Sequence, residues 1–318
     1  MKNPPTIENP IQLPRLIQLE NLSPNSFIEY YLHHKTELES ILHTWGAIKF
    51  AGVRIHSTED FKNITDSIST QFLNYIDGNS PRTKLSDHVY TSTEYDPSQR
   101  ITMHNELSYS AKWPQKLFFT CITPAETGGE TLLANSREIL GKMHASILTE
   151  IEKRGVNYIR NLHGGQGMGP SWQDTFESAD KKTVEAYCQS YGIDYEWGDQ
   201  DSLKLKQFSK GTLQHQKTGD MVWFNQIDQF HPCHLGEEMY ETLLLLYEIP
   251  ENFPTYVSFG DGTEISADMI EEVLKTIDEV TIAPAWQKNE LLILDNELVA
   301  HGRNSFTGNR KVLVAMSA

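Results

Sequence analysis

The feature that most constrains the fold is a series of short β-like runs at irregular intervals. The spacing of the runs is too irregular for strands that alternate with helices in βαβ units. The expected strands are Leu117 to Ile122, Val156 to Asn161, Leu203 to Phe208, Met221 to Phe224, Thr255 to Phe259, Leu291 to Leu294 and Lys311 to Met316. The glycine signatures of nucleotide sites are missing. The pattern favours a mainly β fold, a sandwich or jelly roll with helical insertions, over a Rossmann fold.

Helical spacing of apolar residues predicts helices around this β core. They cover Ser26 to His43, Glu59 to Tyr75, Asn135 to Arg154, Ala179 to Tyr191 and Ser266 to Val280, with a short strand at Ala47 to Phe50. No repeat and no Pro-rich or Gly-rich linker divides the 318 residues. We therefore expect one domain, with an N-terminal helical annex of about residues 1–45 and a core of about residues 46–318.

The charge balance limits the partners. The chain has 43 acidic and 27 basic residues and a formal net charge of −16, which disfavours long-range attraction to nucleic acid or anionic lipid. It lacks an apolar window of about 18 residues, and its first residues lack the apolar core of a secretion signal. We expect a cytoplasmic protein that binds neither nucleic acid nor a membrane.

Among the 12 histidines, His104 is distinguished by Glu106, two residues further on. If this segment is extended, both side chains point to the same face. A third ligand with a nitrogen donor would complete the set of two histidines and one carboxylate. This set suits Fe(II) and leaves positions open for a co-substrate and oxygen. The HxE pair alone is a weak signal, because such tripeptides arise by chance.

A candidate third ligand lies in the C-terminal tract. An apolar strand is followed there by Asp295-Asn296, His301-Gly302-Arg303 and then Phe306, Gly308 and Arg310. This order resembles the distal-histidine motif of the taurine/dichlorophenoxyacetate dioxygenase family, which comprises Fe(II)- and 2-oxoglutarate-dependent oxygenases on a double-stranded β-helix. The HxE pair and the turn Gly128-Gly129-Glu130-Thr131 also resemble motifs of that family. The resemblance runs from about Ala47 to the C-terminus.

The resemblance implies a double-stranded β-helix (jelly roll, cupin-like) core with flanking α-helices, and it implies roles for five residues. His104, Glu106 and His301 match the iron ligands of the family. Arg310 matches the arginine that pairs with the distal carboxylate of 2-oxoglutarate, and Thr131 matches the hydroxyl beside that carboxylate. Arginine suits this role because a guanidinium binds a carboxylate through two parallel hydrogen bonds. Arg303 and Lys311 are the alternatives to Arg310.

Two features resemble particular branches of the family. A glutamate ligand is similar to the branch that contains clavaminate synthase and hydroxylases of free or carrier-tethered amino acids. Halogenating relatives lack the carboxylate, so Glu106 favours hydroxylation or another oxygen-retaining outcome. Val222 to Gln226 and Phe259 to Gly262 resemble segments of syringomycin-type β-hydroxylases. The resemblance thus implies a dioxygenase that uses Fe(II), 2-oxoglutarate and O2 to hydroxylate an unactivated C–H bond of an amino acid or a derivative.

The substrate-binding residues are less constrained than the metal ligands. Asn225 and Gln226 end an apolar strand, where their amides could bind a polar substrate or cap the strand through backbone bonds. Arg303 and Asn105 are weaker candidates. Lysines along Leu203 to Lys210 form either one solvated strand face or a positive patch for an acidic acyl or peptidyl carrier protein.

Other activities fit parts of the pattern. Within the class, desaturation, epoxidation or oxidation of a sulfonate would use the same iron site. From other classes, two histidines and one glutamate could hold zinc in a hydrolase or a metal in a non-catalytic binding module, although the HExxH helix of many zinc hydrolases is absent. The pair of Arg310 and Thr131 separates these readings, because neither a zinc hydrolase nor a binding module needs a 2-oxoglutarate clamp.

Overall fold

The computed structural model describes residues 13–78 and 82–318 of the chain. Its strands are β1 (Arg15–Leu22), β2 (Ala47–Val53), β3 (Val89–Thr91), β4 (Ile101–His104), β5 (Lys116–Thr123), β6 (Thr127–Gly128), β7 (Thr131–Asn135), β8 (Val156–Leu162), β9 (Asp194–Trp197), β10 (Leu203–Ser209), β11 (Thr212–Gln214), β12 (Met221–Trp223), β13 (Thr255–Phe259), β14 (Glu290–Asp295), β15 (Val299–Arg303), β16 (Phe306–Thr307) and β17 (Lys311–Ser317). Its α-helices are α1 (Pro24–His33), α2 (Lys35–Trp45), α3 (Thr58–Ile68), α4 (Ser136–Lys142), α5 (Ala145–Arg154), α6 (Trp172–Phe176), α7 (Lys181–Tyr191), α8 (Ile227–Phe230), α9 (Glu237–Tyr247) and α10 (Ala267–Val280).

Two sheets form the core, and their inner faces pack on each other. The larger sheet has the order β1-β2-β14-β5-β17-β3, and the smaller has the order β4-β15-β7. Leu117 and Leu292 of the larger sheet share one buried apolar cluster with Leu133 and Val299 of the smaller sheet. Residues of α1, α2 and α3 pack on the opposite face of the larger sheet. The expected mainly β fold, with a jelly-roll core and flanking helices, is confirmed.

A large insertion between β7 and β14 adds a third layer. Its four-stranded sheet has the order β13-β8-β10-β9. One end of this sheet packs on Trp172 of α6 and Val184 of α7, through Leu162 and Leu203. Its other end shares a cluster with α5, α8 and α10 that reaches Met103 of β4. The insertion therefore borders the strand that ends at His104.

The N-terminal region differs from the expected helical annex. The predicted helix from Ser26 to His43 is two helices, α1 and α2, which meet at His34. In addition, β1 pairs in parallel with β2 at the edge of the larger sheet, a strand that the helical reading missed. Along it, half-buried Ile17 and Leu19 alternate with exposed Gln18 and Glu20. Residues 1–12 of the annex lie outside the described residues, and the expectation of one continuous domain stays a prediction.

Two predicted helices are shorter than the apolar spacing indicated. The helix predicted from Asn135 to Arg154 is broken into α4 and α5, because Met143 and His144 are extended and the His144 ring accepts a hydrogen bond from the Ser146 N–H. The helix predicted from Glu59 ends at Ile68 instead of Tyr75. In both places a local capping or extended residue ends the helix although the apolar spacing continues. Within the described residues, the helices are too short and too polar to cross a bilayer.

Candidate metal centre

Strand pairing in the smaller sheet brings the two candidate histidines together. His301 of β15 is directly opposite His104 of β4 in the antiparallel register. Side chains of directly paired residues project to the same face of a sheet. The two imidazole centroids are accordingly 4.3 Å apart, and the ring of Phe119, from the larger sheet, is 5.4 Å from that of His301.

Glu106 reaches the same point from a turn instead of from the strand. The extended segment ends at His104, and Leu107 has a positive φ of 58°. Asn296 holds this turn: its side-chain oxygen accepts from the Glu106 N–H at 2.7 Å, and its amide nitrogen donates to the Glu106 carbonyl at 2.9 Å. The Asp-Asn pair before the distal histidine thus fixes the backbone of Glu106. The expectation that one strand supplies both residues was therefore wrong, although their side chains do converge.

The three side chains form a buried cluster that could hold a metal ion. One ligand atom from each of His104, Glu106 and His301 lies within 4.8 Å of the other two, and all three residues are buried. Burial, with a smaller effect of nearby His301, lowers the pKa of His104 to about 3. That imidazole is therefore neutral near pH 7, as a metal ligand must be. The buried Nδ1 of His301 has no hydrogen-bond partner in the described structure.

Arg82 approaches this cluster from outside the predicted motifs. Its Nη2 is 2.6 Å from Oε2 of Glu106, and the exposed fractions of the two side chains are only 4% and 3%. Its guanidinium also lies 4.4 Å from the centre of the Tyr75 ring. Burial opposes the charge of Glu106, but Arg82 and the nearby histidines outweigh it and hold the pKa of Glu106 well below its usual range. The carboxyl group is therefore ionised.

Arg310 lines the same cavity as the two histidines, and a glycine turn positions it. Its Nε donates to the Gly129 carbonyl at 2.8 Å, and its Nη1 donates to Ser92 Oγ at 3.0 Å. Gly129 has a φ of +71°, and a Cβ there would lie 2.9 Å from Cδ of Arg310. Burial, with a smaller effect of Arg303, lowers the pKa of Arg310 to about 10, so the group is charged near neutral pH.

Thr131 lines the same cavity as Arg310, and its hydroxyl proton is available. Its Oγ1 accepts a hydrogen bond from Nε1 of Trp286 at 2.9 Å. A hydroxyl that accepts in this way can still donate its own proton. Thr131, Arg310, His104, His301 and Arg82 all line one small cavity. The cavity is therefore lined both by candidate metal ligands and by a guanidinium that fits a carboxylate.

The sequence matches a family model described as "Taurine catabolism dioxygenase TauD, TfdA family" over residues 11–316. The chain belongs to the TauD/TfdA dioxygenase family. The family and the cluster of two histidines and one glutamate identify an Fe(II)- and 2-oxoglutarate-dependent dioxygenase, an oxidoreductase. The zinc-hydrolase and binding-module readings are therefore set aside.

Two relatives and one solved structure extend across nearly all of this dioxygenase. Dapdiamide synthesis protein DdaC of Enterobacter agglomerans is 32% identical over 296 residues, which cover 92% of this chain and 88% of DdaC. A clavaminate synthase-like protein of Arabidopsis thaliana is 29% identical over 309 residues, which cover 94% and 90%. The crystal structure of PvcB from Pseudomonas aeruginosa is similar in fold, with a TM-score of 0.53, 11% identity and coverage of 95% and 84%.

Arg303, a tentative substrate contact in this TauD/TfdA dioxygenase, is used inside the protein. It lies in the cavity wall, but its terminal nitrogens donate to the carbonyls of Thr93, Asp96 and Gln99 at 2.9 to 3.1 Å. These bonds hold the loop that precedes β4. Arg303 therefore has fewer donors left for a ligand than Arg310 has.

The three tentative amide residues are also bonded within the dioxygenase. Asn225 donates to the Gly211 carbonyl at 2.7 Å and accepts from the Ile227 N–H, which is the strand-capping alternative. Gln226 donates to the Asn105 carbonyl at 2.9 Å, and Asn105 donates to the Asn296 carbonyl at 2.6 Å. These amides connect the insertion to the turn of Glu106 and form part of its support.

The lysines of β10 lie opposite acidic residues. Lys204 pairs in register with Glu196, and Lys206 pairs with Asp194 on β9. Lys204 also forms an ion pair with Glu251 at 2.6 Å. The neighbouring carboxylates offset the positive charge, so this face is better described as a mixed, solvated strand surface than as a positive patch.

The motif analysis of this family member missed Arg82 and assigned no role to Asn296, Ser92 or Trp286. Asn296 stands inside the distal motif, so its position carried a signal that was not used. Arg82 stands in a segment without helical or strand periodicity, and its contact with Glu106 spans 24 residues. Periodicity and short motifs could not have revealed that contact.

Proposed function

We propose that His104, Glu106 and His301 bind Fe(II), and that Arg310 and Thr131 bind the distal carboxylate of 2-oxoglutarate. The observation that carries the proposal is the convergence of the three ligand atoms within 4.8 Å, together with the cavity that the two histidines line with Arg310 and Thr131. Two imidazoles and a carboxylate are a donor set that Fe(II) accepts. Arg310 and Thr131 together offer a charge-assisted and a neutral hydrogen bond to one carboxylate.

The reaction we propose is hydroxylation of an unactivated C–H bond of an amino acid or an amino-acid-derived small molecule, free or carrier-tethered. When bound, the iron would supply oxygen activation at the expense of 2-oxoglutarate, with succinate and carbon dioxide as products. Arg310 and Thr131 orient the co-substrate from its far end. Burial of the three ligands keeps bulk water away from the reaction centre.

Three observations support an amino-acid-type substrate in a biosynthetic role. The carboxylate in the cluster is Glu106, as in the clavaminate-synthase-like branch that the sequence resembles. The relatives include a dapdiamide synthesis protein and a clavaminate synthase-like protein. PvcB is described as an Fe, alpha-ketoglutarate dependent oxygenase from an isonitrile synthetic pathway, and that structure has a TM-score of 0.50 to this chain. A cytoplasmic location, expected from the sequence, belongs to the same proposal.

The experiment is an anaerobic titration of metal-free protein with Fe(II) and 2-oxoglutarate, monitored for the visible metal-to-ligand charge-transfer band. The wild-type protein should develop the band, and His301→Ala should lose it because one of three ligands is gone. Zn(II) in place of Fe(II) should give no band. His33→Ala, a histidine exposed on α1, is the matched variant and should keep the band.

Succinate release then tests the substrate class. Free amino acids and aminoacyl thioesters should raise succinate release, whereas taurine tests the sulfonate alternative, and product masses separate hydroxylation from desaturation. A folded, iron-loaded wild-type protein without the band would refute the proposed site. Persistence of the band in His301→Ala would refute the ligand assignment alone.

A further inference from the structure

Arg82 connects the candidate iron cavity to a second, larger cleft. The first cavity contains the two histidines, Thr131 and Arg310. The second lies towards α6 and is lined by residues that include Tyr75, Lys84, Glu94, Asp174 and Glu177. Among the described lining residues, Arg82 is the one that contributes to both. The Arg82 side chain is therefore part of the wall of both cavities.

The charge of Arg82 is balanced only while the Glu106 carboxylate forms an ion pair with it. The described residues that line the first cavity include three arginines and no acid. A ferrous dication and a 2-oxoglutarate dianion cancel each other, and Glu106 cannot neutralise Arg82 and Arg310 together. At least one positive charge is left over in a buried place. An unpaired buried charge is strongly unfavourable, so the loaded cavity attracts an anion.

The hydrogen bonds of Arg82 also leave room for a ligand. A guanidinium has five N–H donors, and the Arg82 side chain uses Nη2 for Glu106. Its Nε is buried and has no hydrogen-bond partner in the part of the chain that the structure describes. Arg310, by contrast, already uses Nε and Nη1 for the protein. Arg82 thus combines a buried N–H donor that has no partner among the described residues with a position in the wall of both cavities.

The outer cleft suits the opposite charge. Apart from Arg82, its described lining has one cation, Lys84, against the carboxylates of Glu94, Asp174 and Glu177. These acids face solvent, where they favour an ammonium group without the cost of full burial. A zwitterion with its carboxylate inward and its ammonium outward matches both ends. A neutral thioester or amide leaves Arg82 unpaired.

We propose that Arg82 binds the carboxylate of the substrate, and that the enzyme therefore acts on a free carboxylic acid of the amino-acid class, with its amine towards the outer cleft. The inference rests on the proposed function and decides between its two substrate forms, free and carrier-tethered. A thioester-linked substrate has converted that carboxylate into an uncharged group. Arg82 is then a specificity-determining residue for the acid.

The test measures binding to the anaerobic complex of wild-type enzyme, Fe(II) and 2-oxoglutarate, through the change in its charge-transfer band. The probes are free α- and β-amino acids, each beside its primary amide and its pantetheine thioester. We expect at least one acid to bind about 30-fold or more tightly than its amide and thioester, the factor typical of a lost buried charge pair. Succinate release should show the same order.

Variants of Arg82 and Lys84 test whether the preference for the acid depends on Arg82 itself or on positive charge in general. Arg82→Met should abolish the preference for the acid, and Arg82→Lys should restore part of it, because lysine keeps the charge but not the fork. Lys84→Met removes the neighbouring cation of the cleft and should change the preference by less than about threefold. The wild-type comparison needs no variant, so a folding defect in Arg82→Met leaves the test intact.

Several outcomes would overturn the inference. They are equal binding of acid and amide, turnover of thioesters in preference to acids, failure of every free acid to perturb the band, or an unchanged preference in Arg82→Met. Weaker binding of 2-oxoglutarate in Arg82→Met, with substrate preference unchanged, would assign the anion to the co-substrate instead. Absence of the band in wild-type protein would refute the proposed function, which is a different result.

Discussion

Two buried arginine–carboxylate pairs of nearly equal geometry lie in this molecule, and they differ in what surrounds them. Arg160 is 2.5 Å from Asp77, and Arg82 is 2.6 Å from Glu106. The Asp77 carboxylate also accepts from Ser110 Oγ at 2.5 Å, and the Asp77 carbonyl accepts from Arg160 Nη1. The polar atoms of that pair are used, and it does not line either of the two cavities.

The pair at the metal centre is unsaturated by comparison, which means that one of its hydrogen-bonding groups has no partner in the described chain. Arg82 keeps a buried Nε without a partner in the described chain, and it lines two cavities. Glu106 has His301 Nε2 at 3.6 Å on the same oxygen that Arg82 contacts. A saturated buried pair contributes to structure, whereas an unsaturated one leaves groups that a ligand can satisfy. The difference indicates that the Arg160–Asp77 pair stabilises the fold, whereas the Arg82–Glu106 pair has groups left for a ligand.

The largest expected effect concerns stability and comes from the saturated pair. Arg160→Met leaves Asp77 buried without its cation, which should lower the free energy of unfolding by about 3–5 kcal/mol. Chemical denaturation measures this loss. Arg100→Met breaks an exposed pair with Asp278 and should cost less than about 1 kcal/mol. A loss of similar size in both variants would mean that the Asp77 pair is not stabilised by its surroundings.

The next effect concerns Arg310, a half-buried cation that lines the same cavity as Arg82. Arg310→Met should raise the Kd for 2-oxoglutarate about 30-fold or more, because a charge-assisted bond to its carboxylate is lost. The charge-transfer titration measures this constant. Arg303→Met is the matched variant, since its terminal nitrogens already bind loop carbonyls. If Arg303→Met weakens 2-oxoglutarate and Arg310→Met does not, the role belongs to Arg303.

The contrast also shows how far sequence could predict this molecule. The strands were predictable because runs such as Leu291 to Leu294 are apolar throughout and pack on both faces. The jelly-roll core and the family followed from spaced motifs. Helix ends were less predictable, because His34 and His144 interrupt helices through local conformation that apolar periodicity does not encode.

The residues of the candidate site also differ in how far the sequence could indicate them. His104, Glu106 and His301 were predictable because the motif that contains each is short and local in sequence. Arg82 and Asn296 act through contacts that span 24 and 190 residues, and such contacts depend on the folded arrangement of strands. The saturated and unsaturated pairs are alike in sequence, each an arginine and a distant acid. Only the structure distinguishes them.

Asp228 extends the comparison to a buried carboxylate with no cation. It lies on α8, is 2% exposed and forms no ion pair with a described arginine or lysine. Burial, with a smaller effect of Asp278, raises its pKa from 3.8 to about 7. The folded protein therefore keeps this proton between about pH 4 and 7, where the unfolded chain has lost it. Stability from this group is present at low pH and is lost as the pH rises towards 7.

The smallest predicted effect follows from that sign. Between pH 6 and 8 the free energy of unfolding of wild-type protein should fall by about 1 kcal/mol more than that of Asp228→Asn, because the amide does not titrate. Urea denaturation at both pH values measures the difference, and exposed Asp87→Asn should behave as wild type. An identical pH dependence in Asp228→Asn would mean that Asp228 is ionised throughout. A buried charge without a cation would then be tolerated here, and the argument that Arg82 needs an anion would lose its physical basis.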